Sequence, residues 1–106
     1  MNAAELLKAE LATKNQEIIE TRFEPNKDKA MEIIARGIKR IGYVCVDTLC
    51  HAGTCEGGEL SVALGHLTCR DLNAAADWLK KEGFIVTRQW WGFSSDGDPD
   101  MIKIRV

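Results

Sequence analysis

The segment from residue 43 to residue 69 constrains the fold of this chain more than any other. It holds all four cysteines and both histidines, and it contains no lysine or arginine. Its first five residues, YVCVD, alternate with β-branched side chains, which predicts a short strand with Val44 and Val46 on one face. A helix through Leu49 is the alternative. This Cys/His-rich segment is expected to join a helical N-terminal half to a C-terminal half of one helix and a hairpin.

Length and composition predict one ordinary globular domain spanning residues 1–106. A chain of 106 residues can enclose a single hydrophobic core. Its hydrophobic fraction of 45% and charged fraction of 28% are those of a globular rather than a disordered or membrane protein. The N-terminal residues lack a signal-peptide pattern, and no apolar run approaches the ~20 residues of a membrane span. We therefore expect a cytoplasmic protein without a membrane partner, whose cysteines stay reduced.

The net charge of −2 argues against a dedicated nucleic-acid binder, because such proteins usually carry a basic surplus. Basic residues exceed acidic ones only locally, over residues 23–42. A solvated helix face is the ordinary explanation of that excess, and a phosphate-contacting face is the alternative.

Residues 3–21 predict the first helix, because they contain strong helix formers and neither Gly nor Pro. Its side chains form a heptad-like seam at alternating spacings of three and four: Ala4, Leu7, Leu11, Lys14 and Ile18. The helix either lies on its own domain or pairs with a second copy in a homodimer. Pro25 disfavours a helical conformation at the residue before it, so a break is expected near residues 23–26.

A second helix is predicted from the N-cap Asn26 to Gly42. Its apolar stripe follows helical spacing: Ala30, Ile33, Ile34, Gly37, Ile38 and Ile41. Glycines at 53, 57 and 58 then predict a loop, and GELSVALG predicts a short helix after it.

The third long helix is expected to begin at Thr68, with Asp71 as its capping partner, and to end at Gly83. Leu72, Ala75, Ala76 and Leu79 form its predicted buried stripe. Strands are predicted over residues 84–91 and 101–106, with a turn between them. The predicted class is therefore α+β: two N-terminal helices, a short strand, then a helix and a C-terminal β-hairpin, with the Tyr43 strand joining the edge of that hairpin.

A structural zinc site is one hypothesis for the Cys/His-rich segment. Its side chains would be Cys50, Cys55, His66 and Cys69, spaced C-x4-C-x10-H-x2-C, with Cys45 or His51 as a substitute for one ligand. The C-x2-C knuckle of small zinc modules is absent. Buried free thiols, with no cofactor, are the alternative.

Two further kinds of chemistry receive little support from the sequence. A cysteine nucleophile beside His51 or His66 would need electropositive surroundings, whereas the charged residues of the segment are all acidic. Three aspartates at 96, 98 and 100 alternate like the start of a calcium loop, but the required Gly and Glu are missing and Pro99 intrudes. We therefore predict that the protein is not an enzyme.

Three aromatic residues, Trp90, Trp91 and Phe93, cluster at the end of the first predicted hairpin strand. Neighbours on a strand point to opposite faces, so the two tryptophans cannot both enter one core. They predict either a protein-binding surface or packing under the N-terminal helix.

From Gly58 onward, GELSVALGHLTCRDLNAAADWLKKEGFIVTRQ, a long turn and MIKIRV resemble winged helix-turn-helix domains. The resemblance implies that the helix opening at Thr68 enters the DNA major groove and that the hairpin touches the DNA backbone. The outward residues of that helix would be Arg70, Asp71, Asn73, Ala74, Asp77 and Lys81. The order of elements over the whole chain also looks like that of small phage and prophage proteins of unknown function.

Three functions follow as hypotheses. The first is a small non-enzymatic accessory or regulatory protein, phage-derived in view of the second resemblance, which binds a protein partner through residues 90–93. The second is a winged-helix DNA-binding regulator that uses Arg70, Asn73, Lys80, Lys81 and Arg88. The third is a small zinc-stabilised binding module.

Overall fold

The fold was analysed in a computed structural model, which describes residues 2–47, 55–90 and 99–106. Four α-helices and three strands are found in these ranges. The helices are α1 (Ala3–Ile18), α2 (Lys27–Ile41), α3 (Glu56–Ala63) and α4 (Cys69–Lys81). The strands are β1 (Val44–Asp47), β2 (Ile85–Gln89) and β3 (Met101–Arg105). The chain is therefore α+β, as its sequence predicts.

The connection between α1 and α2 is helical rather than a loop. A π-helical turn over Ile19–Phe23 follows α1, and a 3₁₀ turn over Glu24–Asn26 leads into α2. Pro25 lies in the first turn of that 3₁₀ segment, where its missing N–H costs no hydrogen bond. Asn26 makes no side-chain hydrogen bond as an N-cap; its Nδ2 donates to the Arg22 carbonyl oxygen at 2.7 Å instead.

The sheet has the strand order β1-β3-β2, and both pairings are antiparallel. Residues 44–47 are therefore a strand, and it joins the edge of the hairpin as predicted. Val44 and Val86 both lie opposite Ile104, and all three side chains are buried. One face of the sheet thus supplies the floor of the core.

Helices α2, α3 and α4 cover that face and bury most of their predicted stripes, but Ile41 of the α2 stripe is 46% exposed and the seam of α1 is not buried. The core side chains contributed by α2 are Ala30, Ile33 and Ile34. Gly42 ends α2 in the left-handed conformation, with φ of 90°. The start of α3 lies so close to β1 that a Cβ atom on Gly57 would stand 1.8 Å from the Cys45 carbonyl oxygen. Only glycine fits there.

None of the helices formed by the described residues is both long enough and apolar enough to cross a membrane.

Candidate functional site

The fourth helix is held in place by Arg22, which reaches it from the π-helical turn. The guanidinium donates to the Leu64 carbonyl oxygen at 2.9 and 3.2 Å and to the Gly65 carbonyl oxygen at 2.9 Å. It also donates to Asp71 Oδ2 at 3.2 Å. The last carbonyl groups of a helix have no partner within that helix. Arg22 supplies hydrogen bonds to the carbonyl groups at the end of α3, and it thereby fixes the turn that leads into α4.

Asp71 also completes the start of α4. Its Oδ2 accepts a hydrogen bond from the Thr68 backbone N–H at 3.1 Å, and the two residues form the capping box that the sequence predicts. Asp71 is buried, so its predicted outward position is wrong.

A second side of α4 is buried as well, which the sequence did not predict. Ala74 was expected to point outward, yet it is fully buried, and so is most of Trp78. Trp78 Nε1 donates to Glu24 Oε1 at 2.8 Å, and the Trp78 ring centroid lies 5.3 Å from that of Phe23. Positions 71, 74 and 78 share one helical stripe, and the π-helical turn covers that stripe.

Five polar residues remain along the outward stripe of α4: Arg70, Asn73, Asp77, Lys80 and Lys81. Arg88 of β2 reaches the middle of this stripe. Its Nε donates to Asn73 Oδ1 at 3.1 Å and its Nη2 to Asp77 Oδ1 at 2.9 Å. Of the predicted DNA-binding residues, the structure therefore brings Arg88 and Asn73 together, and Asp77 neutralises the Arg88 charge. The resemblance places Asp77 outward, but the set of predicted DNA-contacting residues did not include it.

The C-terminal half of the same stripe borders the first helix. An open groove of about 320 Å³ separates the two helices. The groove is lined by Ala12, Asn15, Gln16, Ile19, Asp77, Lys80 and Lys81. A ligand that approached Lys80 or Lys81 from this side would therefore also meet α1.

Trp90 follows the last residue of β2, and its side chain is 57% exposed. Among the described residues, β2 has β3 on one side and no strand on the other. Ile85, at the opposite end of β2, is 50% exposed. Two large apolar side chains, Ile85 and Trp90, are therefore exposed at the two ends of this strand. The other two predicted partner-binding residues, Trp91 and Phe93, lie outside the described residues.

Three of the four predicted zinc ligands are described, and they do not converge. Cys55 is the N-cap of α3, with its Sγ accepting from the Gly58 N–H at 3.3 Å. His66 lies beyond the other end of this helix, which is about 12 Å long. Cys69 begins α4. In the part of the chain that is described, no three His, Cys, Asp or Glu side chains form a metal-binding group. Cys55, His66 and Cys69 therefore do not form a zinc site with one another, and Cys50 lies outside the described residues.

The surroundings of Cys45 do not favour its thiolate form. Burial raises its pKa above the ordinary value for cysteine, and the nearby Lys103 opposes that shift only in part. A raised pKa lowers the fraction of thiolate, which is the reactive form.

Comparison with models of known protein families, with curated proteins and with solved structures found no match for this chain.

Proposed function

We propose that this chain is a small non-enzymatic accessory or regulatory protein that binds a protein partner through the surface around Trp90. The observation that carries the proposal is the exposure of Trp90 directly beyond an edge strand. Exposed tryptophans are enriched among the residues that dominate the energy of protein interfaces. The proposal places the protein in the cytoplasm, where the thiols of Cys45, Cys55 and Cys69 stay reduced.

Charge supports a protein partner over a nucleic acid. The one arginine of β2 is bound to Asn73 and Asp77, so in the described residues the centre of the α4 stripe carries an ion pair that is already formed. The whole chain carries a net charge of −2. Nucleic-acid binding draws most of its affinity from phosphate neutralisation, which on the described part of this surface would depend on Arg70, Lys80 and Lys81.

The test compares the untagged wild-type chain with Trp90→Ala and Trp90→Phe in quantitative affinity capture from a cell extract. The Phe variant is the matched control, since it keeps an aromatic ring at the same position. Proteins retained by the wild type and by Trp90→Phe should be lost with Trp90→Ala, while circular dichroism shows an unchanged fold. Trp91→Ala should have the same effect. Retention of the same proteins by both alanine variants would refute the proposed surface.

A DNA-binding regulator is the second candidate, and the order of elements favours it. The run of α3, a turn, α4, β2 and β3 is the arrangement that the resemblance to winged helix-turn-helix domains implies. Arg70, Lys80 and Lys81 would then contact the duplex. Binding to a mixed-sequence duplex should weaken steeply with salt and on substitution of Lys80 and Lys81 by alanine. Failure to bind at roughly 10–50 mM salt, where phosphate contacts are strongest, would exclude this function.

A further inference from the structure

The first helix carries apolar side chains that the rest of the molecule does not cover. Leu6, Leu7 and Leu11 are 52%, 59% and 59% exposed. Within the described residues, α1 buries none of its side chains. Only its C-terminal end meets the body, where Ile18 packs against the core. A helix of fewer than about 12–15 residues is marginal in water by itself, so the first three turns lack the packing that normally stabilises a helix.

The exposed leucines do not all share one side of the helix. Successive residues are about 100° apart, so Leu7 and Leu11 lie on one stripe with Ala4 and Lys14, whereas Leu6 points about 100° away from Leu7. Ile18 continues the stripe but is already packed. The free part of the seam is therefore Ala4, Leu7, Leu11 and Lys14.

We propose that this seam binds the same seam of a second copy, with the two α1 helices antiparallel and Leu7 of each opposite Leu11 of the other. That alignment also places Lys14 opposite Ala4, where a small side chain leaves room for the aliphatic stem of the lysine. A parallel, in-register pair would instead place Lys14 against Lys14 at the same end of the seam, beside the Leu11 layer. Like charges held together in an apolar seam are unfavourable, so the sequence of the seam selects the antiparallel pair.

The pair is a weak dimer. Two leucine layers flanked by alanine and lysine bury much less than the roughly 1,600 Å² of a standard protein interface. A monomer–dimer equilibrium that shifts with concentration is therefore expected, rather than an obligate dimer.

The seam is tested by sedimentation equilibrium of the untagged full chain in a reducing buffer, from about 5 µM to about 1 mM, the range in which weak association is measurable. The wild type should show a reversible dimer. The double variant Leu7→Glu/Leu11→Glu should raise the dissociation constant at least about 100-fold, because four carboxylates would enter one apolar seam. Leu6→Glu is the matched control: it changes an equally exposed leucine of the same helix off the seam, and it should leave the dimer intact. A wild type that is monomeric throughout, or a double variant that still dimerises, would overturn the proposal.

The direction of the helices is tested by a charge at position 4. In the antiparallel pair, the carboxylate introduced by Ala4→Glu lies opposite Lys14 of the second copy, and symmetry gives two such contacts. If each contact resembles an exposed ion pair, the dimer should strengthen about three- to fivefold. Ala4→Lys should weaken the dimer. In a parallel pair, residue 4 of one helix would lie opposite residue 4 of the other. Both variants would then bring like charges together and weaken the dimer. Weakening by Ala4→Glu would therefore exclude the antiparallel arrangement. These results are independent of Trp90, so the proposed protein partner and the dimer can fail separately.

Discussion

Arg22 and Asp71, which are 49 residues apart in the chain, meet at 3.2 Å between Nη1 and Oδ2. The same carboxylate oxygen accepts the Thr68 backbone N–H, and the same guanidinium binds two carbonyl oxygens at the end of α3. One contact thus ties the N-terminal helices to the turn that orients α4. This contact therefore sets the position of the outward stripe of α4 and of the surface near β2.

Replacement of Arg22 by alanine is expected to lower the free energy of unfolding by about 2–3 kcal/mol, because the buried Asp71 and the carbonyl groups at the end of α3 would lose the hydrogen bonds that Arg22 donates. Urea denaturation followed by circular dichroism measures the change. Arg36→Ala is the control, since Arg36 pairs with Glu59 on an exposed surface and should cost less than about 1 kcal/mol. Equal losses for the two variants would contradict the structural role given to Arg22.

Gly57→Ala is expected to destabilise the protein more than Gly83→Ala. The added Cβ would stand 1.8 Å from the Cys45 carbonyl oxygen, so α3 and β1 would have to separate. A loss of about 3 kcal/mol or more is expected, as for overpacked cores. Gly83→Ala provides the comparison: its Cβ meets nothing within 4 Å, and its φ of 96° should cost only about 1–2 kcal/mol. Thermal melts rank the two variants, and a milder effect at Gly57 would show that α3 does not pack as described.

Trp78→Phe is expected to lower the free energy of unfolding by about 1–3 kcal/mol. Phenylalanine cannot donate the hydrogen bond to Glu24 and leaves space in the core beside Phe23. The same exchange at the exposed Trp90 should change stability by less than about 0.5 kcal/mol. Chemical denaturation of both variants measures the difference. If Trp90→Phe proved the more destabilising variant, Trp90 would be a packing residue instead of a binding residue.

Glu56 makes the stability of the protein sensitive to acid. Hydrogen bonds from Arg40, at 2.7 and 2.8 Å, lower the pKa of Glu56 from 4.5 to about 2. A carboxylate whose pKa is lower in the folded state stabilises the protein above the unfolded value, and that contribution is lost as the pH falls through the folded value. Stability should therefore decline between pH 4.5 and about 2. Glu56→Gln should flatten this part of the pH profile, measured by thermal melts from neutral to acidic pH. An unchanged slope would show that the pair contributes nothing.

The helix and strand pattern was accessible from sequence because it depends on local spacing. The stripe of α2, the left-handed Gly42 and the Thr68–Asp71 capping box all follow from residues within a few positions of one another. The alternation in YVCVD likewise predicted β1 and placed Val44 and Val46 on one face, which the structure shows to be the buried one. The attachment of β1 to the edge of the hairpin was also predicted, and it gives the backbone groups of this short strand their hydrogen-bond partners.

The candidate surfaces depended on contacts across the chain, and here sequence reasoning was less complete. The resemblance to winged helix-turn-helix domains places Asp71 and Ala74 outward, but the π-helical turn covers a second side of α4, and both residues are buried there. No local signal joins Arg88 to Asp77 or separates Cys55 from His66. The sequence by itself determined the elements, because hydrophobic periodicity and caps act over a few residues. Tertiary structure alone decided which charges are neutralised and which apolar side chains, such as Leu7 and Leu11, stay exposed, because those outcomes depend on residues tens of positions away.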